Sequence, residues 1–140
     1  MGIEVYSLAK NGAAKLSRSF RVREFRCKDR SDPIFIDREL IELLQKVRDH
    51  YGQKVHVNSG FRTASHNAKT KDASPYSQHL YGRAADFWVE NVQPEEVAKF
   101  CETLLPGRGG IGVYPKEGHP ERQTGWVHLD VRSGKSRWTR

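Results

Sequence analysis

Apolar residues recur at helical spacing in two places along this chain. In "IDRELIELLQKVRDHYG", Ile36, Leu40, Leu43, Leu44 and Val47 form one stripe, Asp37 stands where an N-cap belongs, and Gly52 suits the stop. The spacing predicts an amphipathic helix over residues 37–51. "QPEEVAKFCETLL" repeats the pattern with Val97, Phe100, Cys101 and Leu104. Pro94 fits its first turn, and Glu95 and Glu96 complement the positive end of the helix dipole. Elsewhere the period is two. "KVHVNS", "GRAADFWV", "IGVYP" and "WVHLDVR" alternate in the manner of strands. In "GRAADFWV", Ala84, Asp86 and Trp88 take one side and Ala85, Phe87 and Val89 the other. "LSRSFRVREF" reads as extended chain anchored by Leu16, Phe20, Val22 and Phe25, and "KDRSDP" as a turn. "GFRTASHNAKTKDASPYSQ" has many turn formers and no period, so it reads as a long loop with room for one short helical turn. Loops of that length often carry function. A polar loop, "KEGHPERQTG", joins the last two strands. The sum is an α+β protein: a small, mostly antiparallel sheet with two packed helices. One domain over residues 1–140 is expected, with 1–36 as an extended N-terminal segment packing on it.

Composition agrees with a globular chain, at 36% hydrophobic and 29% charged residues over 140 positions. No apolar run approaches the ~18 residues that a membrane helix needs. The start, "MGIEVYSLAKNGAAKLS", contains Glu4 and no unbroken apolar run, so it does not read as a secretory signal. The net charge of +7 favours an anionic partner, with a modest basic cluster in "KLSRSFRVREFRCKDR". Nucleic acid and a carboxylate- and phosphate-rich bacterial wall both fit that charge, as does a simple solubilising excess. Cys27 and Cys101 lie far apart and form no CxxC pair, which argues against a cysteine-based zinc site. Cys101 falls on the apolar stripe of the second helix, and no disulfide is expected.

Candidate chemistry gathers in "SQHLYGRAADF" and "WVHLDVR". His79 precedes a strand, Asp86 lies on it, and His128 lies in the middle of another. Two imidazoles and one carboxylate make a three-ligand set with an open fourth position, as catalytic zinc sites require. With six histidines in the chain, spacing alone leaves a chance set open. Asp130 and Arg132 share a face with His128, which makes a poor core strand and a good active-site wall. An edge strand with its polar face in water is the other reading. In the active-site reading Asp130 is the candidate general base.

The segments "SGFRT", "SQHLYGRAAD" and "GWVHLDV" resemble the zinc D-alanyl-D-alanine carboxypeptidase family of peptidoglycan peptidases, which shares its fold and metal site with the hedgehog signalling domain. Ser77, His79, Gly82, Ala84 and Asp86 fill the family's SxHxxGxAxD segment, and Trp126, His128 and Asp130 fill its second, WxHxD-like one. "GGIGVYP" and "DVRSGKSRW" are similar to the branch of phage lysins and murein endopeptidases. The resemblance covers roughly residues 16–138 and implies that His79, Asp86 and His128 bind zinc. It also implies that Arg62 holds a substrate carboxylate or stabilises an oxyanion, where a loop-anchoring ion pair is the plainer reading. Ser77 and Gln78 are candidates to line the substrate site or to orient His79, and Tyr81 to line the cleft or simply to pack. The implied activity is hydrolysis of peptide bonds in peptidoglycan stems or cross-bridges. The sequence shows no nucleic-acid recognition motif and no membrane-spanning run, so neither partner is expected, and a monomer is the default expectation. A chain made in the cytoplasm that reaches the wall after release is the expected setting. Many relatives carry an acidic base three residues before the second zinc histidine, and here that position is Gly125. The base must then come from elsewhere: Asp130 first, then Glu121, Glu117 and His119. The alternative is a non-catalytic, zinc-containing wall-binding module.

Overall fold

A computed structural model of the chain describes residues 2–71 and 73–140. The two periodic segments form its two long helices. α2 (Arg38–Tyr51) starts where the Asp37 carboxylate accepts the Glu39 N–H, and it ends at Gly52 in the left-handed region (φ 62°). α4 (Pro94–Leu104) has proline in its first turn, where the missing N–H costs nothing. The alternating segments form β3 (Val55–Ser59), β4 (Ala84–Val89), β5 (Gly109–Tyr114) and β6 (Trp126–Asp130). With β7 (Lys135–Thr139) they build one sheet in the order β3-β4-β6-β5-β7. Every neighbour pair is antiparallel except β5 with β7.

The sheet is larger than expected, because "KSRWT" adds a parallel edge strand that no alternation announced. The N-terminal segment also differs from a simple extended arm. It holds β1 (Ile3–Tyr6), a short helix α1 (Leu8–Asn11) and a 3-10 turn at Val22–Phe25. β1 pairs antiparallel with β2 (Ile34–Asp37), which runs directly into α2. The 3-10 turn forms because the Glu24 carboxylate accepts the Arg21 N–H at 2.6 Å, while Val22 and Phe25, three residues apart, both bury. Leu16, Phe20, Val22 and Phe25 are core residues as anticipated.

Alternation gives the five-stranded sheet two distinct faces. Ala85, Phe87, Val89, Ile111, Val127 and Leu129 bury with the stripes of α2 and α4. Cys27 and Cys101 are buried and free. The long loop contains α3 (Ala64–Lys69) and a second 3-10 turn, Gln78–Tyr81. No described helix is long and apolar enough to cross a membrane.

Candidate metal centre

Register places the site residues in one row across the sheet face turned away from the helices. Ser59 pairs with Asp86, Asp86 with His128, His128 with Gly112, and Gly112 with Trp138. Asp130 and Gly110 pair in the row two residues away. His79 arrives from outside the sheet, on the 3-10 turn Gln78–Tyr81. Ser77 caps that turn by accepting the His79 backbone N–H at 3.2 Å. Gly82 ends it at φ 70°, and a Cβ there would lie 2.1 Å from the Phe35 carbonyl oxygen. Only glycine meets both demands. The Asp37 N–H donates to the Gly82 carbonyl at 2.9 Å, so the small β1-β2 sheet braces the turn that carries His79.

A hydrogen bond settles which nitrogen His79 presents, and position shows which nitrogen of His128 faces Asp86. His79 Nδ1 lies 2.7 Å from the Gly60 carbonyl oxygen. A carbonyl only accepts, so Nδ1 holds the proton and Nε2 keeps its lone pair. That Nε2 is buried and has no hydrogen-bond partner, although it lies 3.3 Å from Asp86 Oδ1. His128 Nε2 faces Asp130 Oδ2 at 2.7 Å, which leaves Nδ1 toward Asp86 Oδ1 at 2.9 Å. The ligand atoms of His79, Asp86 and His128 all lie within 4.8 Å of one another.

These residues fit a tetrahedral cation. Metal–ligand bonds of about 2.0 Å place neighbouring tetrahedral ligands about 3.3 Å apart, close to the separations of Asp86 Oδ1 from the two nitrogens. A buried imidazole lone pair with no donor opposite is an unmet demand that a cation satisfies. The charge state also fits. Burial opposes ionisation of Asp86, but the imidazoles of His79 and His128 outweigh it and hold its carboxyl well below the usual range. Burial likewise opposes the charged form of His128, yet hydrogen bonds to Asp130 and Asp86 lift its pKa to about 9. A dicationic ion at Nδ1 would take the place of that extra proton.

The structure gives Asp130 a different place from the one expected of a general base. Its side chain is wholly buried, with no surface left for a substrate or an attacking water. Its oxygens accept from His128 Nε2, the Gly110 N–H at 2.9 Å, and Arg132 Nε and Nη2 at 2.8 and 2.6 Å. Burial opposes its ionisation, and the bonds from His128 and Arg132 override that. A carboxylate held so far below its usual range is a weak base, and it sits on the ring nitrogen turned away from Asp86. The arrangement orients His128.

Arg62 lies against the ligands. Its Nη2 is 3.3 Å from Asp86 Oδ2, its Nε donates to Ser59 Oγ at 3.0 Å, and its Nη1 to Asn67 Oδ1 at 3.3 Å. The backbone N–H of Arg62 also donates to the His79 carbonyl at 3.0 Å. Of the other expected substrate residues, Tyr81 is exposed on the turn, and Gln78 Oε1 is buried with no partner. Glu117, His119 and Glu121 sit in the β5–β6 loop, where His119 Nδ1 and Glu121 Oε1 are 3.1 Å apart. Gly125 is sterically closed: a Cβ there would lie 2.7 Å from Pro94 and 2.8 Å from the Tyr114 carbonyl.

One wall of the site carried only a faint trace in the sequence. Trp138 lies over Gly112, and its ring centre is 5.0 Å from that of His128. A Cβ on Gly112 would strike the indole at 2.4 Å, and one on Gly110 would strike the Asp130 carboxylate at 2.2 Å. The every-second-residue glycines of "GGIG" therefore clear one sheet face for Trp138 and Asp130. Trp138 Nε1 donates to the Tyr114 hydroxyl at 2.9 Å, and Tyr114 stacks on Trp126 at 4.9 Å. The Arg122 guanidinium lies 4.8 Å from the centre of the Trp126 ring.

Comparison with known proteins agrees with this geometry. Residues 18–130 match the model of the peptidase M15 family. The chain belongs to that family. The matched stretch of this peptidase M15 member contains His79, Asp86 and His128, the three candidate ligands, and Trp138 lies beyond it. It is 26% identical over 102 residues to peptidoglycan L,D-endopeptidase MepK of Escherichia coli K12, an alignment covering 69% of this chain and 51% of that protein. It is 26% identical over 103 residues to the probable peptidoglycan L,D-endopeptidase MepK of Haemophilus influenzae, covering 69% and 50%. The chain thus spans about half the length of the curated relatives it matches.

Proposed function

We propose that this chain is a zinc-dependent peptidase that hydrolyses peptide bonds of bacterial peptidoglycan. The observation that supports it best is the buried, unpartnered Nε2 of His79, aimed at the same point as Asp86 Oδ1 and His128 Nδ1. His79, Asp86 and His128 would hold the ion. When bound, zinc would polarise a peptide carbonyl and lower the pKa of a water to ~7.

The chain's own residues do the rest. Gly60 and Asp130 fix the two imidazole rings by accepting their other N–H groups. Arg62 steadies Asp86 and uses three of a guanidinium's five N–H groups on Asp86, Ser59 and Asn67. The remaining two are free to meet a substrate carboxylate or a developing oxyanion. The Trp138–Tyr114–Trp126 wall offers apolar contact to a stem peptide. With Asp130 buried, Glu117, His119 and Glu121 of the β5–β6 loop are the remaining candidates for the proton acceptor. The relatives' names make an L,D peptide bond the first to test.

A second reading, a non-catalytic zinc-holding wall module, draws support from Gly125, since nothing acidic stands there and its packing excludes a side chain. Digestion of purified peptidoglycan separates the two. Release of new amines that stops with chelator, returns with zinc and is absent in His79→Ala supports the peptidase. Bound zinc with no release supports the module. Release indifferent to chelator and to His79→Ala contradicts both.

A further inference from the structure

The charge of this chain is not spread evenly. Residues 10–30 hold eight Lys and Arg against two acidic residues, so six of the seven net positive charges lie in that stretch. The fold curls it into an open groove of about 570 Å³ at α1, lined by Lys10, Arg23, Arg26 and Arg30 beside Gly12 and Ala13. All four cations are exposed, and none is in an ion pair among the described residues. The nearby carboxylates are committed elsewhere. Asp32 accepts the Leu8 and Ala9 N–H groups, Glu24 accepts the Arg21 N–H, and Asp29 accepts from Ser31 N and Thr63 Oγ1. The groove is therefore a concave site with four cations outside any ion pair, of which Lys10 alone feels the charge of Asp32.

We propose that this groove binds the phosphodiester backbone of an anionic cell-wall polymer and holds the enzyme on its wall. The site rests on the geometry alone, and the source of the polymer rests on the peptidoglycan reading above. Two features favour such a polymer over nucleic acid. No aromatic side chain lines the groove, so it has no platform on which bases would stack. Its neutral surface is small and aliphatic, as a sugar- or glycerol-linked chain needs. The groove also shares a support with the metal centre. Phe25, next to Arg26, accepts the Phe61 N–H at 2.9 Å, and Gly60, next to Phe61, holds His79. A polymer in the groove thus lies across the same segment from the ligands.

The test is a binding titration of the full chain with purified poly(glycerol phosphate) at about 50 and about 200 mM salt, roughly a fourfold step in ionic strength. If the four cations all neutralise phosphates, affinity falls on the order of 10- to 100-fold between the two conditions. Combined Lys10→Gln, Arg23→Gln, Arg26→Gln and Arg30→Gln is expected to weaken binding by at least about tenfold at low salt and to flatten the salt dependence. Removing four exposed lysines elsewhere (Lys46→Gln, Lys54→Gln, Lys99→Gln, Lys135→Gln) is expected to change it by no more than about twofold. Equal losses in the two variants, no binding by the wild type, or tighter binding to duplex DNA of equal charge overturns the proposal. Because binding is read without turnover, an inactive peptidase leaves the result intact, and a failed groove leaves hydrolysis to be judged separately.

Discussion

Two faces of one strand, β6, carry opposite chemistry one residue apart. Val127 and Leu129 point at α2 and α4, and their cost and benefit are those of any core. His128 and Asp130 point the other way, and they are buried as deeply: Asp130 is 0% exposed and Leu129 is 0% exposed. Burial therefore does not distinguish the faces. Pairing does. On the helix face no polar group needs a partner. On the site face of β6 every side-chain polar atom has a partner, and the unmet demand lies opposite, at His79 Nε2 and Gln78 Oε1 on the 3-10 turn. The first face should decide whether the chain folds, and the second what it binds.

Substitutions that break one face and spare the other test this division. The largest effect is expected from His79→Ala or His128→Ala, which should abolish zinc binding and hydrolysis. Circular dichroism and a cooperative urea transition should remain, with His79→Ala costing no more than about 1–3 kcal/mol. Phe87→Ala, one residue from Asp86 but on the helix face, should reverse the pattern. It should cost about 3–5 kcal/mol of unfolding free energy by denaturant titration and leave zinc affinity in the surviving folded protein nearly intact. Asp130→Asn sharpens the comparison. As the residue that orients His128, it should weaken zinc binding by about 10- to 100-fold. A base would instead lower hydrolysis and leave zinc affinity unchanged, and the two readouts on one sample decide. The smallest effect is expected from Gly112→Ala, whose new Cβ must displace Trp138. It should cost about 1–3 kcal/mol and quench or shift the indole emission, read by fluorescence during thermal unfolding.

The helix face was legible because its signal is local. A stripe of Leu40, Leu43, Leu44 and Val47 or an alternation such as Ala85, Phe87, Val89 states its own burial. That His79, Asp86 and His128 gather in one place was legible as well, through "SQHLYGRAAD" and "WVHLDV", because the spacing of donor residues is itself a chemical statement. What stayed hidden was relational. Gly60 offers only a carbonyl acceptor, and only the fold shows that it fixes the tautomer of His79. Asp130 reads as a base from its shared face with His128, and only its burial and its bonds to Arg132 and Gly110 turn it into a support. Trp138 lies on a strand whose burial alternates weakly, and its partner on the site face is a glycine, so neither residue signals the contact. The 3-10 turn at Val22–Phe25 reads as extended chain in the sequence because residues three apart and two apart look alike over so short a stretch.

The central claim is that His79, Asp86 and His128 form one zinc site. Its most direct test is zinc content per chain by elemental analysis after zinc loading and exhaustive dialysis, with wild type and His79→Ala handled side by side. The account predicts one zinc per chain in the wild type and none in His79→Ala, with both proteins folded. A wild type that retains no zinc, or a His79→Ala protein that retains as much as the wild type, would contradict it.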